Sequence, residues 1–204
     1  AIPDCLSAEQ AAPLMCAGVT TFTALKHSVA RMGDLVAISG IGGLGHLAIQ
    51  YAQRAGFRTV AISRGRAKAE LAQKLGAHHY IDGAAEDVGK ALQALGGAKV
   101  IIATAPSAAA ISSAVSGLSF GGEVVIVAGS GDKLDLSPIQ LLHRHTVRGW
   151  VAEGQPDLVE TVRFSQLTGV LPHIETFPLE QAAAAYEQMM NASVRFRAVL
   201  KPHT

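Results

Sequence analysis

The stretch Leu35-Val36-Ala37-Ile38-Ser39-Gly40-Ile41-Gly42-Gly43-Leu44-Gly45-His46 runs from a short apolar segment, through a G-x-G-x-x-G string, into residues of helical composition. The glycine string alone is weak evidence. Between an apolar strand and a helix, at the head of a strand–helix–strand unit, it gains meaning. Gly40 allows the tight turn. Gly42 lets backbone approach a pyrophosphate with no Cβ in the way, and Gly45 lets helix and strand pack closely. Free N–H groups and the positive end of the helix dipole then face the anion, with Gly40, Gly42, Gly43 and Leu44 as the expected contacts. Two other uses of such a loop stay open: a tight turn with no ligand, and a methyltransferase loop holding an S-adenosyl ligand.

Working outward, short β-branched runs recur at Leu35–Ser39, Thr59–Ser63, His79–Ile81, Lys99–Ala103, Glu123–Val127 and Thr146–Trp150, starting 20 to 24 residues apart. That spacing fits a strand, a helix and two loops. Helical composition fills the intervals at Leu44–Ala55, Arg66–Leu75, Ala85–Leu95, Ala108–Leu118 and Ser137–Leu142, with Gly56 and Gly76 placed as C-caps. Uninterrupted apolar strands alternating with helices predict a parallel sheet covered on both faces. The expected fold is therefore α/β: a Rossmann-type, doubly wound, six-stranded parallel sheet in the order 3-2-1-4-5-6. Ser7-Ala8-Glu9-Gln10 predicts a capped helix start, and Ala17–Val29 a second helix. Beyond the sixth strand we expect a helix at Asp157–Leu167, a strand at His173–Phe177, a helix at Leu179–Asn191 and a strand at Phe196–Leu200. The expected division is linker helices over 1–30, a dinucleotide-binding domain over 31–152, and a returning C-terminal segment over 153–204.

Composition narrows the classes. The chain has 204 residues, 49% hydrophobic and 16% charged, enough for one sizeable core without staples. With 17 Lys+Arg against 16 Asp+Glu the net charge is +1, which argues against nucleic-acid binding through bulk charge. A mean hydropathy of +0.28 argues against an acidic disordered chain. Two cysteines, Cys5 and Cys16, are too few for a disulfide scaffold, so a cytoplasmic setting is expected. The uncharged stretch Val100–Gly122 is broken by serines, a proline and glycines, and reads as a buried strand plus a small-residue helix rather than a membrane span. AIPDCLSAEQ has no basic start, no apolar run and no initiator Met, and reads as the interior of a longer chain.

The second strand bears on the choice of cofactor. NAD-specific folds place a carboxylate at its tip, for the ribose 2′-OH. Here the strand ends in Ala61-Ile62-Ser63, followed by Arg64-Gly65-Arg66. A hydroxyl and two guanidinium groups suit a 2′-phosphate, so NADP is favoured, with NAD as the alternative.

With these residues located, the chain resembles the C-terminal portion of a zinc-dependent alcohol dehydrogenase of the medium-chain dehydrogenase/reductase superfamily. Ala11–Thr20 resembles the segment that delivers a cysteine to the catalytic zinc. Gly40–His46 resembles the phosphate loop, Leu75–Asp82 the turn into the third strand, and Arg195–Leu200 the closing strand. The resemblance implies that Cys16 is one of three protein ligands to a zinc, whose fourth position stays open. It implies that Thr20 lies against the nicotinamide ring. Thr104, Ala105, Val127 and Ala128 would line the cofactor crevice, Lys68 would reach the adenosine ribose, and Arg197 the pyrophosphate. Trp150 and Val151 would lie at a subunit interface near the nicotinamide amide, making a homo-oligomer the expectation. The family's catalytic half, with the other zinc ligands and the proton relay, has no counterpart in the sequence. This segment alone is therefore expected to bind dinucleotide without turning over an alcohol or aldehyde.

Other readings are kept. A non-catalytic dinucleotide-sensing or oligomerisation module, and a zinc-free quinone reductase relative, remain alternatives. Cys5 matches no ligand. His78–His79 and the pair His143 and His145 lack carboxylate or thiolate company at ligand spacing. His46 could touch a phosphate, but a packing or solvated role is expected.

Overall fold

The computed structural model describes residues 2–202. In chain order its elements are α1 (Ala8–Pro13), a wide π-helical turn (Leu14–Gly18), α2 (Val19–Lys26), β1 (Leu35–Ser39), α3 (Gly45–Arg54), β2 (Arg58–Ser63), α4 (Ala69–Lys74), β3 (His79–Asp82) and α5 (Val88–Ala94). There follow β4 (Ala98–Ala103), α6 (Ala108–Ala114), β5 (Leu118–Ile126), α7 (Pro138–Leu141), β6 (Thr146–Gly149), α8 (Gln155–Thr168), β7 (Ile174–Pro178), α9 (Ala182–Met190) and β8 (Arg197–Lys201). The six-stranded sheet has the order β3-β2-β1-β4-β5-β6, and β7 and β8 form a separate parallel pair. The expected doubly wound topology is present.

All five residues of β1 are buried, as a central strand with helices on both faces requires. Alternation sorts them: Val36 and Ile38 join one core cluster, with Leu47, Ala48 and Tyr51 of α3, while Leu35 and Ala37 join the other, with Leu92 and Ile111 of α5 and α6. Each fully buried Leu or Ile contributes about 1.5–3 kcal/mol. The Val100–Gly122 stretch resolves into β4, α6 and the start of β5, and no helix among the described residues is long and apolar enough to cross a membrane.

Several boundaries differ from expectation for local reasons. The helix expected over Ala17–Val29 is a π-helical turn and then α2. Pro13, which has no N–H to donate, is the last residue of α1, and α2 ends at Lys26, beyond which the Val29 N–H donates to the Glu123 carboxylate (3.0 Å). The helix expected over Arg66–Leu75 opens instead as a 3-10 turn at Arg66–Lys68, with α4 following. The helix expected from Ala85 starts three residues later, at Val88, because the Asp87 carboxylate caps it by accepting the Lys90 N–H. The box expected at Ser7 is formed with Gln10.

α1 and β8 meet: Glu9 pairs with Lys201 at 2.9 Å. Glu123, 3% exposed, accepts from Arg148 Nε (2.9 Å), Arg148 Nη2 (3.2 Å) and Val29 N, tying β5, β6 and the α2–β1 connection together. Removing one partner of a buried pair strands the other charge. Glu123→Ala is therefore expected to cost about 3 kcal/mol in urea unfolding; a loss below about 0.5 kcal/mol would show the cluster to be a surface pair.

Candidate functional site

At the C-terminal end of β1 the neighbours diverge, β2 on one side and β4 on the other, and the connections leave on opposite faces. Open α/β sheets bind ligands at this switch point. A cavity of about 700 Å³ lies there. It is lined by Ser39, Gly40, Ile41 and Gly42 of the glycine loop, by Ser63, Arg64 and Lys68 after β2, and by Thr104, Ala105 and Pro106 after β4.

The loop is shaped by what its glycines permit. Gly40 has φ +102°, and a methyl group there would fall 2.9 Å from Thr104 Oγ1. At Gly45 a methyl group would sit 1.9 Å from the Gly40 carbonyl oxygen, so α3 reaches the strand end only through glycine. Gly42, by contrast, faces open space, with nothing within 4 Å of where a Cβ would stand. Thr104 clamps the turn from β4, its hydroxyl 3.0 Å from both the Ser39 and Gly40 carbonyl oxygens.

Cations gather around the loop. Lys68 donates to the Ile41 carbonyl at 2.7 Å, and burial, helped by Arg195, lowers its pKa. Arg197, first residue of β8, packs on the other side: a methyl group at Gly43 would fall 2.7 Å from its Nη1. Arg64 is exposed on the cavity rim and makes no ion pair or hydrogen bond among the described residues. Its loop is held from β3: Asp82 Oδ1 accepts the N–H groups of Gly65 (2.7 Å) and Ala84 (3.0 Å), and the Tyr80 hydroxyl donates to the Gly65 carbonyl. The carboxylate nearest the β2 tip is thus spent on backbone.

Sequence reasoning left both Asp82 and Tyr80 unassigned. Only the β2–β3 register, pairing Ser63 with Asp82, reveals them.

The other expected site residues spread around this centre. Leu44 precedes α3 as its N-cap. Val127 follows β5, its N–H donating to the Ala103 carbonyl at 3.1 Å, with Ala128 next. Cys16 is an exposed free thiol on the π-helical turn, and Thr20 lies half-buried in α2. Trp150 does not line the cavity. Its indole N–H donates to Thr23 Oγ1 (2.9 Å) and its ring stacks on His27. No group of three or more His, Cys, Asp and Glu among the described residues could hold a metal ion, so Cys16 does not form a zinc site with them.

His46 is fully buried and is held by hydrogen bonds on both ring nitrogens: Nδ1 lies 2.9 Å from the Gly42 carbonyl, and Nε2 accepts the His173 N–H at 3.1 Å. The packing role expected of it is the one observed. Burial, with His173 and Arg197 nearby, holds its pKa down at about 4 from an ordinary 6.5. The unfolded chain therefore takes up a proton at higher pH than the folded one. Stability from this group is present above about pH 6.5 and is lost as pH falls towards 4, by on the order of 3 kcal/mol. Urea midpoints measured across this interval should fall for the wild type and fall less for His46→Gln; parallel curves would contradict the assignment. Gly42→Ala should leave stability within about 0.5 kcal/mol, since the methyl meets open space. Calorimetric titration should show it binding ADP-ribose at least about tenfold more weakly; unchanged affinity would mean that no phosphate approaches there.

Comparison with known proteins agrees with this architecture. The family model for zinc-binding dehydrogenases matches residues 43–166. Alcohol dehydrogenase patD of Penicillium expansum is 43% identical over 199 residues, covering 98% of this chain and 58% of its own length. An alcohol dehydrogenase of Geobacillus stearothermophilus is 38% identical over 203 residues, covering 98% and 60%. Among solved structures, the alcohol dehydrogenase of Aeropyrum pernix superposes with a TM-score of 0.87 at 28% identity, covering 98% of this chain and 60% of that one. The chain thus spans a little under two thirds of the relatives it matches. On the matched family model, the shared fold and these identities, it belongs to the zinc-binding dehydrogenase family, as part of the alcohol dehydrogenase group.

Proposed function

We propose that this chain is the cofactor-binding portion of an alcohol dehydrogenase that moves hydride between an alcohol or aldehyde and NADP. The observation that carries the reading is the cavity at the sheet's switch point, floored by Gly40–Gly42 and flanked by Arg64 and Lys68. When bound, the dinucleotide supplies the hydride chemistry, and the fold supplies position and electrostatics.

The roles follow from placement. The open backbone at Gly42, with Gly43 and Leu44 at the N-terminus of α3, presents amides to a pyrophosphate. Arg197 supplies a guanidinium beside Gly43, and Lys68 an ammonium near the adenosine ribose. Ser63 and Arg64 receive the 2′-phosphate. The engagement of Asp82 with the Gly65 and Ala84 amides supports NADP over NAD, because that carboxylate is already committed to backbone. Thr104, Ala105, Val127 and Ala128 continue the crevice towards the nicotinamide, with Thr20 against its ring and Trp150 near its amide.

In a longer enzyme the Cys16 thiolate would serve as one zinc ligand, and the zinc would polarise the substrate oxygen. The whole protein would act on alcohols or aldehydes in the cytoplasm. A homo-oligomer forms through the β6 edge, beyond which Val151 is exposed. A second reading, a dinucleotide-sensing module without catalysis, is favoured by one fact: the missing ligand cluster around Cys16 among the described residues. A catalytic half encoded upstream in the same reading frame would remove it.

Replacing Arg64 with Ala tests the cofactor choice. NADPH binding should weaken by about 1.5–3 kcal/mol in calorimetric titration, with NADH binding little changed. Equal losses for both would show that Arg64 does not read the 2′-phosphate.

A further inference from the structure

The glycine loop and the β7–β8 segment are far apart in sequence, and a single side chain joins them. A carbonyl oxygen can only accept, so the Gly42 contact at 2.9 Å requires the proton on His46 Nδ1. A backbone N–H can only donate, so the His173 contact at 3.1 Å requires Nε2 to be bare. The two partners fix one neutral tautomer.

The chain of bonds continues. The His173 carbonyl accepts the N–H groups of Phe196 (3.0 Å) and Arg197 (3.1 Å). Arg197 then returns to the loop, its Nη1 against Gly43. Phe196 stacks on the His46 ring at 4.8 Å, closing the space beside it. Gln50, one turn along α3, braces the same junction by donating to the His46 carbonyl (3.1 Å) and the Leu171 carbonyl (3.0 Å).

We infer that His46 is a positioning residue: its imidazole spans from the Gly42 carbonyl to the His173 backbone and thereby holds the Arg197 guanidinium over the phosphate loop. It touches no ligand itself. A loop carbonyl turned towards His46 also leaves the amides beyond it free to face the cavity. An arginine carried on a separate two-stranded sheet would otherwise have to be ordered at each binding event, at an entropic cost. The inference rests on the reading of Gly40–Gly45 as a pyrophosphate site.

The test uses two ligands: ADP-ribose, which carries a pyrophosphate, and adenosine 2′-phosphate, which does not. His46→Asn keeps an amide donor for Gly42 but is too short to reach His173. His46→Gln reaches further and restores a polar, uncharged partner. Calorimetry should show His46→Asn binding ADP-ribose about tenfold more weakly, close to Arg197→Ala. The double variant should be no worse than the worse single, and adenosine 2′-phosphate binding should be unchanged. His46→Gln should recover most of the affinity.

Full ADP-ribose affinity in His46→Asn, additive losses in the double variant, or equal losses for both ligands would each overturn the inference. Amide hydrogen exchange in the ligand-free protein separates this failure from failure of the pyrophosphate reading. The His173 and Arg197 amides should exchange faster in His46→Asn than in the wild type, and unchanged exchange would remove the tether. Wild-type protein that protects these amides yet binds no ADP-ribose would instead sink the pyrophosphate reading, and the ligand-positioning role with it.

Discussion

The approach of α3 to the end of β1 is the constraint on which the rest depends. Gly45 stands so close to the Gly40 carbonyl that no side chain fits, and this contact sets where the helix begins. Because α3 begins there, the amides of the loop open onto the cavity instead of being absorbed by the helix ladder. The alternating apolar residues of β1, Val36 and Ile38 on one face and Leu35 and Ala37 on the other, hold the strand end in place between two core layers. Thr104, one strand over, locks the turn with a single hydroxyl shared between two carbonyls.

Around that fixed point, the segments that bring positive charge are each held by something buried. The Arg64 loop is gripped by Asp82 and Tyr80 of β3, the Arg197 strand is tied through His46 and His173, and Lys68 is tied directly to Ile41. These tethers give Lys68 and Arg197 defined positions and fix the backbone that carries Arg64, which is what separates an anion site from a merely basic surface. They also make the site sensitive to acid, since the His46 bridge requires a neutral imidazole.

Local patterns made the sheet legible in the sequence. The six strands follow from β-branched runs at regular spacing, the glycine loop from its motif between strand and helix, and the observed strand order is the doubly wound one expected of such a chain. Helix ends were less legible because their causes are individual side chains, such as Asp87 capping α5. The support of the site was not legible at all. His46 meets His173 across 127 positions, and Asp82 reaches Gly65 only because β2 and β3 pair in one register. Periodicity carries no signal for such contacts. Arg197 entered through family resemblance, and the structure sets it against Gly43. The anchoring of Trp150 by the Thr23 hydroxyl and the His27 ring, across more than 120 positions, was equally silent in the sequence.

The central claim is that a nucleotide pyrophosphate rests on the amides that open α3. Nitrogen-edited NMR of the chain titrated with NADPH reads those amides one by one. The account predicts that the Gly42, Gly43 and Leu44 signals move and saturate together with those of Ser63 and Arg64. Signals that stay fixed while NADPH is in large excess, or that move only at a remote surface, would contradict it.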